Sequence, residues 1–144
     1  MAQAQVVEKK QMRTPIESGC PDGMQYMHPL MIKNFGNWKY HDRPRPGVLH
    51  HVAYSGDEIW TVRVGTQRQL GPYEINLLCD IVDKYGEGHV RFTIRSNLEV
   101  MVSKWEKVGQ LIQAFNDAGY PVGGTGNSVT MISHTQGWLH CDIP

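Results

Sequence analysis

The nine residues from His89 to Asn97 alternate between apolar and polar or cationic side chains. Because successive side chains of a β-strand point to opposite faces, this period of two predicts a strand with one apolar and one cationic face. The apolar face carries Val90, Phe92 and Ile94. The cationic face carries Arg91, Thr93 and Arg95. Such a face has two interpretations, since its arginines either keep an antiparallel strand in contact with water or bind an anionic ligand.

Three further strands are predicted, at residues 48–54, 58–65 and 98–102. Ser55-Gly56-Asp57 is typical of a hairpin turn between the first two strands. Alternation within the second strand places Arg63 on the face opposite Trp60, Val62 and Val64. The prolines at 44 and 46 predict a rigid, non-helical lead into the first strand, and residues 24–38 predict a short helix or an irregular packing segment.

Two helices interrupt these strands. Gly71-Pro72 is predicted to open the first helix and Gly86 to close it. Its apolar stripe includes Ile75, Leu78, Cys79, Ile81, Val82 and Tyr85. Ser103 and Glu106 have the spacing of a capping box for the second helix. The second stripe comprises Trp105, Val108, Leu111, Ile112 and Phe115. The order β-β-α-β-β-α predicts an α+β fold, a mainly antiparallel sheet with helices on one face and an open polar face.

Composition limits the classes of function. The chain has 144 residues, with 14 basic and 14 acidic side chains and no net charge at pH 7. A neutral domain has no long-range field that would gather nucleic acid or an anionic membrane. No apolar run approaches the ~20 residues of a membrane span, and the first ten residues are too polar for a secretory signal. We therefore expect a cytoplasmic protein without a nucleic-acid partner or a membrane span.

The polar N-terminal stretch, residues 1–23, shows no apolar period and predicts an arm that is disordered or ordered only on a partner. Residues 24–144 then form one domain. The last segment is rich in glycine and polar residues, and the sequence stops at Pro144 with no closing strand or helix. This abrupt stop leads us to expect an incomplete polypeptide.

The three cysteines, Cys20, Cys79 and Cys141, have long spacings and no CxxC motif. This number and spacing argue against a disulfide framework or a self-contained zinc site. Cys79 lies within a helical apolar stripe, which predicts a buried, inert thiol. The spacing of His134, His140 and Cys141 is not a familiar metal-ligand spacing, so a metal bound there would need ligands from elsewhere.

Arginines are predicted to cluster on the open face of the sheet. If the strands pair, Arg63, Arg91 and Arg95 share that face with Thr61 and Thr93. Each guanidinium can bind an oxygen pair in bidentate fashion, which suits a ligand with several carboxylates. Because like charges repel, such a cluster is most favourable with an anion bound.

The glycine-rich segment 123–128 has two interpretations. Consecutive glycines let backbone N–H groups converge on a phosphate or another anion. The segment lacks the lysine of a P-loop and the glycine spacing of a dinucleotide site, so a flexible turn is the default interpretation.

Several stretches together resemble one family. They are Lys33–His41, Thr61–Gly65, Arg91–Asn97, Gly123–Gly126 and His134–Cys141. From about Met27 to its last residue, the sequence resembles the N-terminal part of the beta subunits of dissimilatory sulfite reductases, which are relatives of the sirohaem sulfite and nitrite reductases. The resemblance implies a ferredoxin-like sulfite/nitrite reductase half-domain.

In such enzymes an α2β2 complex interconverts sulfite and sulfide by six electrons at a sirohaem coupled to a 4Fe–4S cluster. The resemblance implies cofactor-binding roles for Arg63, Arg91, Thr93, Arg95, His134, Thr135, Gln136 and Trp138. It makes Cys141 the first of four cysteine ligands of the cluster, and it assigns no catalytic residue to this chain. The implied partners are the alpha subunit, a small cysteine-tailed sulfur-carrier protein and sulfite as substrate.

Two departures from the family pattern limit these implications: the cysteine segment and the inserted ferredoxin domain of the family are missing, and the loop from Tyr120 to Gly123 is shorter than in many relatives. The family continues into a Cys-Cys-x-x-x-Cys segment that completes the cluster site, so we expect a chain truncated before it and inactive in isolation. The related alpha subunit has a substrate-binding arginine after its glycine loop, where this chain has Val129-Thr130-Met131. The chain therefore resembles the cluster-donating partner. The alternative is a small, non-enzymatic α/β module that binds anions or RNA.

Overall fold

The computed structural model of the chain describes residues 23–129. Nearly all of the predicted arm at residues 1–23 therefore lies outside the described residues. The same holds for Cys20, Cys141 and the predicted cofactor residues His134, Thr135, Gln136 and Trp138.

A five-stranded sheet dominates the described part of the chain. Its strands are β1 (Trp38–Arg45), β2 (Val48–Ala53), β3 (Glu58–Val64), β4 (Val90–Phe92) and β5 (Leu98–Val102). The spatial order is β1-β2-β3-β5-β4, and every neighbouring pair is antiparallel. The helices are α1 (Pro29–Lys33), α2 (Pro72–Tyr85) and α3 (Trp105–Asp117), preceded by a 3₁₀ turn at Gly23–Tyr26. None of these helices is long and apolar enough to cross a membrane.

The hydrophobic core lies between one face of the sheet and the two long helices. Alternate residues of β3 and β5 are fully or almost fully buried there: Val62, Val64, Leu98, Val100 and Val102. The helices contribute Leu78, Ile81, Val82, Val108, Leu111, Ile112 and Phe115. Burying this apolar surface is the main favourable contribution to folding. The predicted α+β class, with an antiparallel sheet and helices on one face, is confirmed.

The stripe predicted for α2 is partly wrong. Leu78, Ile81 and Val82 are buried, but Cys79 is exposed and Ile75 is 47% exposed. Each residue turns an α-helix by about 100°, so with Leu78, Ile81 and Val82 on the sheet, position 79 points away from the core. Cys79 is therefore an accessible thiol and not a core residue.

A strand that the sequence did not predict lies at one edge of the sheet. Within residues 23–129, β1 pairs only with β2. It contains Pro44, and irregularities interrupt the pairing between Trp38 and Tyr40 and between Asp42 and Arg45. Proline has no N–H to donate, so it is tolerated in a strand mainly at an edge. The prolines exclude a helix there, as predicted, but they do not exclude a strand.

The predicted capping box is also wrong. The N-cap residue of α3 is Lys104, and no side chain caps this end of the helix. The Ser103 hydroxyl instead donates to Oε1 of Glu87 over 2.8 Å. A long-range carboxylate thus replaces the expected local partner Glu106.

The second face of the sheet is not fully open, contrary to the prediction. Ile59, Thr61, Glu99 and Met101, which lie on that face, are all buried. The segment 23–37 contributes to covering it, because an apolar cavity of about 200 Å³ is lined by this segment and by the sheet. Two contacts attach the segment to the rest of the domain: His28 Nε2 lies 2.7 Å from Glu87 Oε2, and Asn34 Nδ2 donates to Asp57 Oδ2 over 2.9 Å.

The apolar side chains of the strand predicted at residues 89–94 are not in the core, and the strand itself is shorter, because β4 ends at Phe92 and Ile94 lies in the following turn. Val90 is 44% exposed, Phe92 63% and Ile94 fully exposed. β4 is the last strand in the sheet, beyond β5, whereas α3 packs against β3 and β5. The expected contact of these three residues with the helices is therefore wrong, and all three residues of β4 are exposed.

Candidate anion-binding cleft

A buried glutamate organises the arginines of the second sheet face. Glu99 lies directly opposite Arg63 on β3 and directly opposite Arg91 on β4. Arg63 Nε donates to Oε2 over 3.0 Å, and Arg91 Nη2 donates to Oε1 over 2.6 Å. The Glu99 side chain is only 2% exposed, so its carboxylate is almost completely shielded from water. Each carboxylate oxygen thus fixes one guanidinium.

An open cleft of about 330 Å³ adjoins this pair. Its lining residues are Arg63, Arg91, Phe92, Thr93, Ile94 and Arg95. The structure thus brings together the four predicted cofactor residues that lie within the described part of the chain. The Arg91 side chain remains 55% exposed and that of Arg63 24% exposed. Glu99 uses one N–H group of each of these guanidiniums, which leaves further donors for a ligand.

The turn from β4 to β5 is held by hydrogen bonds at both ends. Thr93 N donates to the Asn97 carbonyl over 2.8 Å, and Asn97 N donates to Thr93 Oγ1 over 3.2 Å. Ser96 adopts a positive φ of 58°, and its carbonyl accepts a 2.7 Å bond from the Thr66 hydroxyl. The backbone that carries Thr93 and Arg95 is therefore tied to the loop after β3.

His51 occupies the same sheet face on β2. Its Nε2 lies 3.2 Å from Thr61 Oγ1, and its Nδ1 lies 2.6 Å from Nδ1 of His41. Burial, followed by the proximity of His41 and more weakly of His50, Arg91 and Arg63, lowers the pKa of His51 to about 4. The imidazole is therefore neutral at pH 7, and the positive charge of this face comes from its arginines.

The glycine-rich segment at residues 123–128 is hydrogen-bonded to the backbone of Arg63, next to the cleft. Gly123 N donates to the Arg63 carbonyl over 3.0 Å, and Gly65 N donates to the Pro121 carbonyl over 2.8 Å. The Thr125 hydroxyl accepts a 3.0 Å bond from Gly47 N. Because Gly123 N already binds the backbone of β3, this N–H is not available to a phosphate. The segment is a packed connection beside Arg63.

Glu99 and His51 were missed by the sequence analysis. Alternation along Leu98–Val102 places Glu99 on the face opposite Leu98, Val100 and Val102, which is the face that carries Arg63. The sequence signal that could have identified Glu99 was therefore a single carboxylate between apolar neighbours on a strand. No group of three or more histidine, cysteine, aspartate or glutamate side chains within residues 23–129 is arranged to hold a metal ion.

Known proteins share both the sequence and the fold. The family model for the nitrite/sulfite reductase ferredoxin-like half domain matches residues 51–118. The dissimilatory-type sulfite reductase beta subunit of Archaeoglobus fulgidus is 44% identical over 133 residues, which is 88% of this chain. The same subunit of Nitratidesulfovibrio vulgaris is 46% identical over 127 residues, which is 83% of this chain. This chain belongs to the dissimilatory sulfite reductase beta-subunit family. The resemblance seen in the sequence is confirmed.

As a beta-subunit family member, the chain spans 36% and 33% of the length of these two relatives, and 48% of a third from Megalodesulfovibrio gigas that is 41% identical. A crystal structure of dissimilatory sulfite reductase I superposes with a TM-score of 0.52, covering 62% of this chain and 24% of that one. At 14% identity this superposition shows the shared fold. This shared fold is consistent with the match of residues 51–118 to the nitrite/sulfite reductase ferredoxin-like half domain.

Proposed function

We propose that this chain is part of a dissimilatory-type sulfite reductase, and that its cleft binds peripheral carboxylates of sirohaem. The observation that carries this proposal is the convergence of Arg63, Arg91, Thr93 and Arg95 on one cleft. Family membership supplies the reaction class, since the relatives are named as beta subunits of sulfite reductases.

The donor set of the cleft fits a polycarboxylate. Arg63 and Arg91 contribute two positive charges against the single negative charge of Glu99, an excess of one, and Arg95 lines the same cleft. Guanidinium groups bind carboxylates through paired N–H donors, and those of Arg63 and Arg91 keep donors beyond the ones given to Glu99. A ligand with several carboxylates would offset the remaining charge of the cleft.

When bound, sirohaem coupled to a 4Fe–4S cluster supplies the electron-transfer chemistry for the six-electron interconversion of sulfite and sulfide. We propose that the complete beta subunit acts in a cytoplasmic α2β2 complex with an alpha subunit and uses sulfite as substrate. A small cysteine-tailed sulfur-carrier protein is the further partner that the family resemblance implies. The part of this chain described by the structure would hold and orient the cofactor.

Five residues outside the described part complete the proposal. Cys141 would be a thiolate ligand of the cluster, as the family resemblance implies. The other four would lie against the cofactor: His134, Thr135, Gln136 and Trp138.

The first experiment measures the cofactors directly. The complete beta chain is purified with its alpha partner, and its visible spectrum, iron and acid-labile sulfide are determined. We expect a coloured complex that contains both tetrapyrrole and sulfide. A colourless complex free of sulfide would refute the proposal.

Variants of the cleft then locate the binding site. Arg91→Gln and Arg95→Gln remove one positive charge each and are expected to lower the tetrapyrrole content of the complex severalfold. Arg45→Gln, at an exposed site on the opposite edge of the sheet, is the matched control and should leave the content unchanged. Equal tetrapyrrole content in all three variants would exclude the cleft as the site.

Cys141→Ala tests the proposed cluster ligand in the same complex. Loss of a thiolate ligand should lower iron and acid-labile sulfide together. Unchanged iron and sulfide would contradict the assignment of Cys141.

RNA binding is the second candidate function, because the structure supplies an exposed aromatic beside the arginines. Phe92 is 63% exposed and lines the cleft with Arg91 and Arg95. Proteins that bind single-stranded RNA on a sheet commonly stack bases on such aromatic rings. Tight, salt-dependent retention of RNA in a filter-binding assay, lost in Phe92→Ala, would favour this function over cofactor binding.

A further inference from the structure

We infer that Glu99 is a positioning residue, which holds the guanidinium groups of Arg63 and Arg91 in the orientation that binds a carboxylate ligand in the cleft. This inference rests on the proposed function and adds to it a residue that itself makes no contact with the ligand. It follows from the pairing register of three strands and from the burial of Glu99.

The geometry gives Glu99 both arginines at once. β5 lies between β3 and β4, so a residue on β5 has one direct neighbour on each side, and for Glu99 these neighbours are Arg63 and Arg91. One oxygen accepts from Arg63 over 3.0 Å and the other from Arg91 over 2.6 Å. A carboxylate one methylene shorter could not keep both distances without a shift of the strand.

Fixing the guanidiniums favours ligand binding. An arginine side chain on a surface samples many rotamers, and ordering it on binding reduces the affinity for the ligand. The Arg91 side chain is 55% exposed, and its 2.6 Å bond to the buried Glu99 carboxylate restrains its guanidinium. The conformational entropy of the Arg91 side chain is therefore lost when the protein folds, and its loss does not reduce the affinity for the ligand.

Charge alone predicts the opposite effect. Glu99 is an anion next to a site for anions, so replacing it with a neutral residue raises the positive charge of the cleft by one. If the charge of the cleft decided affinity, this replacement would strengthen ligand binding. If the orientation of the arginines decides affinity, the same replacement weakens it. The sign of the change therefore separates a positioning role from a neutralising one.

The test uses the complete beta chain in complex with its alpha partner, produced without bound tetrapyrrole, and uroporphyrin III as the carboxylate-rich probe. Fluorescence titration gives the dissociation constant for wild type, Glu99→Gln and Glu99→Asp. We expect both variants to bind about tenfold more weakly, because each loses the double restraint. Glu106→Gln, which removes an exposed carboxylate at the start of α3, should bind as wild type. Unchanged or tighter binding by Glu99→Gln would overturn the inference.

A second measurement does not depend on the tetrapyrrole. Phenylglyoxal modifies accessible arginines, and mass spectrometry reports its rate at each residue. In the same complexes, Arg63 and Arg91 should react severalfold faster in Glu99→Asp and Glu99→Gln than in wild type. Equal rates would overturn the positioning role even if uroporphyrin binds. If wild type binds no uroporphyrin but the rates differ as expected, the proposed function fails while Glu99 still restrains the arginines.

Both measurements require assembled complexes. Size-exclusion chromatography therefore precedes each titration, and Glu99→Asp, which keeps the negative charge between the two arginines, provides the conservative variant. Because Asp preserves the charge and shortens the side chain, a neutralising role predicts wild-type affinity for it, and the positioning role predicts a loss.

Discussion

Glu87 provides the most direct test of how the segment 23–37 is attached to the domain. Its carboxylate contacts His28 Nε2 at 2.7 Å and accepts bonds from the Ser103 hydroxyl at 2.8 Å and from Lys107 Nζ at 3.1 Å. Partial burial raises the pKa of this carboxyl, but the hydrogen bonds from His28, Ser103 and Lys107 outweigh that effect and lower it from 4.5 to about 2. Glu87→Gln keeps the size of the side chain and removes its charge.

The expected loss of stability follows from this pKa. At 1.36 kcal/mol per pKa unit, the fall from 4.5 to about 2 sets a ceiling of about 3 kcal/mol on the contribution of the charged form. Water screens the group, since 17% of the Glu87 side chain and 39% of the Lys107 side chain are exposed. We therefore expect about 1.5 kcal/mol at pH 7.

The pH dependence has a defined sign. A carboxyl whose pKa is lower in the folded than in the unfolded state stabilises the fold fully above the unfolded value of about 4.5. This contribution is lost progressively as the pH falls from about 4.5 through about 2, below which the carboxyl is protonated in both states. The free-energy difference between wild type and Glu87→Gln should therefore shrink with decreasing pH.

Urea unfolding followed by tryptophan fluorescence measures this difference between about pH 7 and about pH 3. Glu106→Gln, which removes an exposed carboxylate of α3, is the control and should change the free energy of unfolding by less than about 0.5 kcal/mol. A Glu87→Gln variant as stable as wild type at pH 7, or one whose deficit is the same at both ends of the pH range, would refute the reasoning.

Two further predictions concern packing, and both use the same unfolding assay. Gly47 has a φ of +78°, and a Cβ there would lie 2.7 Å from Gly123 N, so Gly47→Ala should destabilise the domain by about 2 kcal/mol or more; a neutral effect would contradict this close approach. Phe115 is fully buried, so Phe115→Ala should cost about 3–5 kcal/mol. Phe92→Ala should cost less than about 0.5 kcal/mol because this ring is exposed, and similar losses in the two variants would contradict their burial.

The sequence predicted those features that depend on residues close together in the chain. The apolar stripe of α3 has a helical period, and four of its five predicted residues are buried, whereas Trp105 at the first turn is 44% exposed. The hairpin between β2 and β3 forms around Gly56, whose φ of +87° suits a turn. Strand alternation also predicted that Arg63 and Arg91 share one face of the sheet. Most of the polar residues of the described cleft could therefore be identified from the sequence.

Features that depend on the spatial order of the strands were not predictable in this way. An alternating pattern is the same for an edge strand and a central one, so it could not show that Phe92 is exposed while Val100 is buried. Nor could it show that Glu99 would be enclosed, because that requires β3 and β4 on either side of β5. Nor could it show that the strand containing Pro44 lies at the edge of the described sheet, where a proline is tolerated.

The position of β4 at the edge of the sheet bears on how this domain behaves at high concentration. Among residues 23–129 no strand pairs with the outer side of β4, and the exposed side chains of Phe92 and Ile94 lie nearby, so this edge forms a template for an incoming strand. The positive charges of Arg91 and Arg95 repel those of a second copy of the chain and so oppose pairing between identical edges. An anion that neutralised these arginines without covering the edge would therefore promote self-association of the domain.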